Sequence, residues 1–249
     1  MSGLICLTGS KGSPGATTLA VALTSSAPAE TGRVLLIDAD PDGGDLAALL
    51  GAGTNPGMVT LAAATRHQFA PDEVERHAQP IGDTISLLAA PPTPDQAAAT
   101  LSSLGRGFAE ALTHSPAVAD LGRWRPDSPA SELVRAAAAT VLVVRPTVAG
   151  VAHARWVYAD LNSRCRHVVV ATRGERPYGP EEVAAALGAE SAVFIPVDRA
   201  AISVLAGGRW ARRSPLGRSA RALGDSLGLT APAEQSAKAS ANSAEEVTA

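Results

Sequence analysis

The 249-residue chain is 46% hydrophobic with a net charge of −3, enough apolar content for one large α/β domain and too little positive charge for global attraction to nucleic acid or anionic lipid. Aromatic residues make up only 3%, which argues against a base-stacking platform for RNA or single-stranded DNA. Cys6 sits in an apolar run, as small hydrophobes do, and the two cysteines, Cys6 and Cys165, give no disulfide or metal-ligand pattern.

In chain order, short β-type runs alternate with Ala/Leu-rich helical segments. The N-terminal "MSGLICLTGSKG" lacks the basic region of a signal peptide, and no apolar stretch approaches the ~18 residues needed to span a bilayer, so a cytoplasmic protein is expected. A strand at 4–8 leads through glycines into a helix at 16–26; a strand at 33–38 precedes a helix at 44–51. Strands follow at 84–90, 116–120, 140–145, 166–172 and 192–196, interleaved with helices at 93–112, 130–137, 148–162 and 180–187. Two further helices are expected at 198–205 and 214–228. This is the pattern of a doubly wound α/β fold: a mostly parallel sheet of about seven strands with helices on both faces. One domain over 1–230 is expected, and 231–249, with no large apolar residue except one Val, reads as a disordered tail.

Ligands of such sheets bind beyond the carboxyl ends of the strands. After the first strand comes "TGSKGSPGATT", where Gly9, Gly12 and Gly15 lead into a helix and gather backbone N–H groups around a volume that suits a phosphate. Thr17 stands where a P-loop places its Mg²⁺-holding hydroxyl, and Thr18 is expected to cap the same turn. The strict motif G-x-x-x-x-G-K-[ST] fails twice: Ser10 occupies its first position and Ala16 its lysine. A tight strand-to-helix turn with no ligand is the bland alternative. A nicotinamide site fits poorly, because the glycine spacing is G-x-x-G-x-x-G and no Tyr-x-x-x-Lys pair exists.

The second strand ends in "LLIDADPDGGDLAALLG". Asp38 and Asp40 are two apart and would project from one side, able to hold Mg²⁺ waters and orient an attacking water. Asp45 reads as a helix cap and Asp42 as a solvated loop charge. Asp120, ending "PAVAD", is placed as the Mg²⁺ carboxylate of a P-loop protein, or as the cap of the next turn.

Taken together, "TGSKGSPGATT", "VLLIDADPDGGDLAALLG", "AVADLG", "VLVVRPTVAGVAHA" and "FIPVDRAAISVLAGGR" resemble, in order and spacing, the ParA/MinD family of deviant P-loop ATPases over nearly the whole chain except the tail. The resemblance implies ATP or ADP with Mg²⁺, bound by Gly9, Ser10, Lys11, Gly12, Ser13, Pro14, Gly15, Ala16, Thr17 and Thr18. Lys11 matches the family's signature lysine, which in nucleotide-sandwich dimers reaches the partner subunit's phosphates. The family also implies catalytic parts for Lys11 and Asp40, which would align the hydrolytic water. Thr17 would bind the metal, Asp38 would support its shell, and Asp120 would be the Walker B acid. The adenine pocket would involve Thr172 and Arg173, with Pro196 and Asp198 of the "PVD" turn. "KGSPGATT" is closest to the CpaE/TadZ-like and actinobacterial MinD-like branch; CpaE/TadZ proteins act as localisation or assembly factors of Tad/Flp pilus or secretion machines, beside a secretion ATPase.

Loss of one preorganised phosphate donor slows chemistry by roughly 10² to 10³, so Ala16 implies weak or absent hydrolysis. Binding is separate, because the N–H nest, the helix N-terminus and Mg²⁺ remain. The expected function is therefore a nucleotide-binding assembly factor that self-associates; the alternative is a working ATPase that partitions DNA or positions septa. The alternative needs a surface for DNA or for the inner face of the membrane, and the candidate is the segment from Arg209 to Arg221, with Arg212, Arg213 and Arg218. A core-packed terminal helix with a solvated arginine face explains that segment equally well.

Overall fold

Val-, Leu-, Ile- and Ala-rich runs with no polar side can form strands only where both faces are covered, and that burial is what the structure shows. The structure, a computed structural model, describes residues 3–11, 14–28, 31–66, 69, 72–174, 176–198 and 213–229. Its elements in chain order are β1 (Leu4–Gly9), α1 (Ala16–Ser26), β2 (Val34–Asp38), α2 (Leu46–Leu50), α3 (Met58–Ala64), α4 (Glu73–His77), β3 (Gln79–Ile81), β4 (Ile85–Leu88) and α5 (Pro94–Ala111). After a 3₁₀ turn at Leu112–His114 come β5 (Ala117–Arg123), α6 (Ser131–Ala136), β6 (Ala139–Val144), α7 (Val148–Asn162), β7 (Val168–Arg173), α8 (Pro180–Leu187), β8 (Ala192–Ile195) and α9 (Pro215–Ser226).

The strands form one sheet in the order β3-β4-β2-β5-β1-β6-β7-β8. All neighbours pair in parallel except β3, which runs antiparallel to β4. The eight strands exceed the seven expected by β3, "QPI", too short to show a period and carrying Pro80, which only an edge strand tolerates. Helices α3 and α4 were also not expected, being short segments among turn residues that fold against α5 and β4. The expected helix at 198–205 and the tail at 231–249 lie outside the described residues.

Side-chain alternation divides the core. Ile5, Leu7, Leu36 and Val118 face α1, α2 and α9, whereas Cys6, Ile37 and Ala119 face the layer of α5, α6, α7 and α8. Leu216, Ala220 and Leu223 bury α9 against the first layer and leave Arg218 and Arg221 exposed, so this part of the arginine segment is a core-packed helix with a solvated face. Central β1 thus delivers its carboxyl end, with the glycine loop, between β5 and β6.

One buried anchor holds that end of the sheet. The Trp124 backbone N–H donates to Gly9 O at 2.9 Å, and its indole Nε1 donates to Asp160 Oδ2 of α7 at 2.7 Å. Arg164 pairs with the same carboxylate and lies over the indole ring. Asp160→Ala strands a donor on an indole that is 1% exposed. The expected cost is about 1 to 3 kcal/mol, read as a lower urea midpoint at unchanged m-value.

Candidate functional site

The glycine loop closes on itself and then starts α1. A methyl group on Gly9 would lie 2.4 Å from Pro14 Cγ, so the proline ring packs directly on the strand end. Gly15 is the N-cap of α1 with φ +102°, a left-handed conformation that favours glycine. No side chain caps this terminus, and Thr18, expected as its cap, lies inside the helix instead. Gly12 and Ser13 fall outside the described residues. Lys11 is exposed at the rim and Ser10 is buried beneath it.

The acids lie beside the loop. Asp38 and Asp120 are register partners on adjacent β2 and β5 and are 1% and 2% exposed. Asp38 Oδ2 accepts the Leu46 N–H at 2.9 Å, and Asp120 Oδ1 accepts the Gly122 N–H at 3.2 Å. Burial drives the Asp38 pKa up to about 7 against the opposing Leu46 hydrogen bond, with Asp120, Asp40 and Asp45 adding to the rise. Burial likewise lifts Asp120 to about 6, although the Thr17 hydroxyl and the Gly122 N–H pull the other way.

Asp40 parts from Asp38. Its Oδ1 accepts the Asp42 N–H at 2.8 Å, and its carboxylate rests against Gly122, where a Cβ would stand 1.9 Å from Oδ2 and where φ is +59°. Burial raises its pKa as well. Asp45 occupies the N-cap position of α2, yet its side chain makes no cap hydrogen bond; the Leu46 N–H is taken by Asp38, and the expectation that Asp45 caps this helix is corrected accordingly. Asp42 is exposed as expected, and Arg125 grips both its oxygens at 2.8 and 2.6 Å.

These residues surround a cleft of about 790 Å³ lined by Gly9, Lys11, Pro14, Gly15, Ala16, Thr17, Thr18, Asp40, Asp42, Asp45, Ala48, Leu49, Gly122, Arg123 and Arg173. Asp38 and Asp120 stand behind this lining. Thr172 is fully buried, its hydroxyl 3.5 Å from Val193 O, and neither it nor Pro196 or Asp198 is among the described residues lining the cleft. Arg173 leaves them and reaches the loop. Sequence reasoning missed Arg123, whose Nε donates to Ser10 O at 3.0 Å; the signal was its place three residues after Asp120 in "ADLGR".

Neither a family model nor a curated protein sequence matches the chain. Solved structures do. A ParA family ATPase from Chlorobium tepidum is similar with a TM-score of 0.70 at 15% identity, over 90% of this chain and 98% of that one. The septum site-determining protein MinD of Pyrococcus horikoshii, complexed with Mg-ADP, gives 0.72 at 16%, over 91% and 96%. An McdA–ATP complex from Cyanothece gives 0.65 at 16%, again over 91% and 96%. The fold is therefore that of the ParA/MinD P-loop NTPases.

The buried acids give the free protein a pH signature. Their folded pKa values lie above the unfolded range of about 4, so the native state holds more protons and stability falls as pH rises from about 4 towards 7. Asp38→Asn keeps an acceptor for the Leu46 N–H and should flatten this fall by an amount on the order of a few kcal/mol. Urea unfolding at pH 5 and pH 8 is the check, and an unchanged pH dependence in the variant would contradict it.

Proposed function

We propose that this chain is a ParA/MinD-like protein that binds ATP or ADP with Mg²⁺ in the cleft at the end of β1, hydrolyses it weakly or not at all, and acts as a localisation or assembly factor through self-association. The observation that carries this reading is the cleft itself: Thr17, in the first turn after the glycine loop, lines it together with Asp40, and Asp120 is buried at the end of β5 behind them. It brings a hydroxyl and carboxylates together beside an α1 terminus that no side chain caps. The nucleotides in the MinD and McdA complexes support it further.

The donor set fits Mg²⁺. Mg²⁺ keeps several waters and shares phosphate oxygens, so it needs only one or two protein oxygens. Thr17 would hold it from the cleft wall, with Asp38 and Asp120 behind. When bound, the ion offsets phosphate charge. Asp40, partly buried and kept in place by the Asp42 N–H, is the carboxylate positioned to orient a water. Ala16 supplies no side-chain donor, which supports slow turnover.

Lys11 stands exposed at the cleft rim, where it would meet the nucleotide of a second copy. Within the CpaE/TadZ-like reading, the client is a secretion or pilus ATPase. No helix among the described residues is long and apolar enough to cross a membrane; DNA or membrane contact would fall to the arginine segment, of which Arg213, Arg218 and Arg221 are described and exposed.

Calorimetry with ATP and Mg²⁺ is expected to show weak binding that Thr17→Ala diminishes by about tenfold. Folded protein without binding at millimolar nucleotide would leave a nucleotide-independent scaffold. Turnover of ~1 s⁻¹ or faster would favour the working ATPase of DNA partition or septum positioning. Sedimentation is expected to show an ATP-dependent dimer that Lys11→Ala weakens; identical behaviour of variant and parent with ATP would remove Lys11 from the interface.

A further inference from the structure

We propose that Arg173 supplies the phosphate-facing positive charge that the loop lacks at Ala16. Arg173 closes β7, two strands from β1, and its side chain crosses the carboxyl end of β6 to lie on the glycine loop. A methyl group on Gly15 would meet Arg173 Nη1 at 2.5 Å, Cδ at 2.8 Å and Cζ at 2.9 Å, so the guanidinium rests flat against the residue preceding Ala16. It lines the same cleft as Thr17 and Asp40. The resemblance assigns this arginine to the adenine pocket; the geometry puts its charge beside the phosphate loop.

Its surroundings point to an anion. Arg173 donates one long hydrogen bond, 3.5 Å from Nη1 to Pro14 O, which among the described residues leaves most of its five donors for another acceptor. Among the described residues no carboxylate pairs with it. Burial, and secondarily Arg145, disfavour its charge, yet a guanidinium stays protonated. A half-buried cation at the edge of this cleft, with no carboxylate paired to it among the described residues, gains from an entering phosphate. The planar fork also suits two phosphate oxygens at once, which a lysine at position 16 would contact only as a point charge.

This inference rests on the cleft being a nucleotide site, and the test separates the two. Parent, Arg173→Ala, Arg173→Gln and a control at exposed Arg166, Arg166→Ala, are titrated with Mg-ATP, inorganic tripolyphosphate and adenosine, with folding checked by circular dichroism. Parent protein that binds neither ATP nor tripolyphosphate overturns the nucleotide reading itself. With the parent binding, both Arg173 variants are expected to lose at least about tenfold for ATP and for tripolyphosphate alike, while Arg166→Ala matches the parent. Loss confined to ATP and adenosine, with tripolyphosphate unaffected, overturns the inference and returns Arg173 to the base. Ala16→Lys added to Arg173→Ala is expected to recover much of the lost affinity; no recovery, with the double variant folded, reduces Arg173 to a prop of the loop and overturns the inference.

Discussion

Two carboxylates buried in register at the carboxyl ends of adjacent parallel strands are the constraint on which this end of the molecule depends. A buried carboxylate must find donors or stay protonated. Asp38 finds the Leu46 N–H and thereby fixes where α2 begins; Asp120 finds the Gly122 N–H, and the Thr17 hydroxyl of the first α1 turn favours its charged form. The glycines follow from the same demand. A Cβ on Gly44 would lie 2.5 Å from Asp38 Oδ2, and one on Gly122 would displace Asp40. Loop, helix starts and acids are one packing solution.

That solution leaves charge unevenly spread across the cleft. Asp40, Asp42 and Asp45 line one side, and Lys11, Arg123 and Arg173 line the other. Both arginines give hydrogen bonds to loop carbonyls, from β5 and from β7 on either side of β1. Burial has raised the pKa of Asp38, Asp40 and Asp120, which disfavours their charged forms. A phosphate chain with a divalent cation has a charge pattern complementary to the two sides of the cleft.

Much of this was legible in the sequence, because long apolar runs and strong periodicity are local signals. Helices α7 and α8 match the sequence expectation residue for residue, and β1, β6 and β8 within one or two residues. The short elements α3, α4 and β3 were not legible, since packing rather than propensity defines them. Site chemistry divides in the same way. "IDAD" announces acids at a strand end, but only the tertiary structure shows that Asp38 turns to Leu46 while Asp40 turns to the cleft, leaving Asp45 without the capping bond. Arg173 lies 158 positions beyond Gly15, and no sequence pattern connects them; a Cβ-sized gap filled by a guanidinium does.

The central claim is that the glycine loop holds a nucleotide's phosphates, and backbone amide NMR tests it directly. On addition of Mg-ATP the amides of Gly15, Ala16, Thr17 and Thr18 are expected to shift together with the Arg173 Nε–H, and ADP should move the same set. Shifts confined to other parts of the chain, or a spectrum unchanged at millimolar nucleotide, would contradict it.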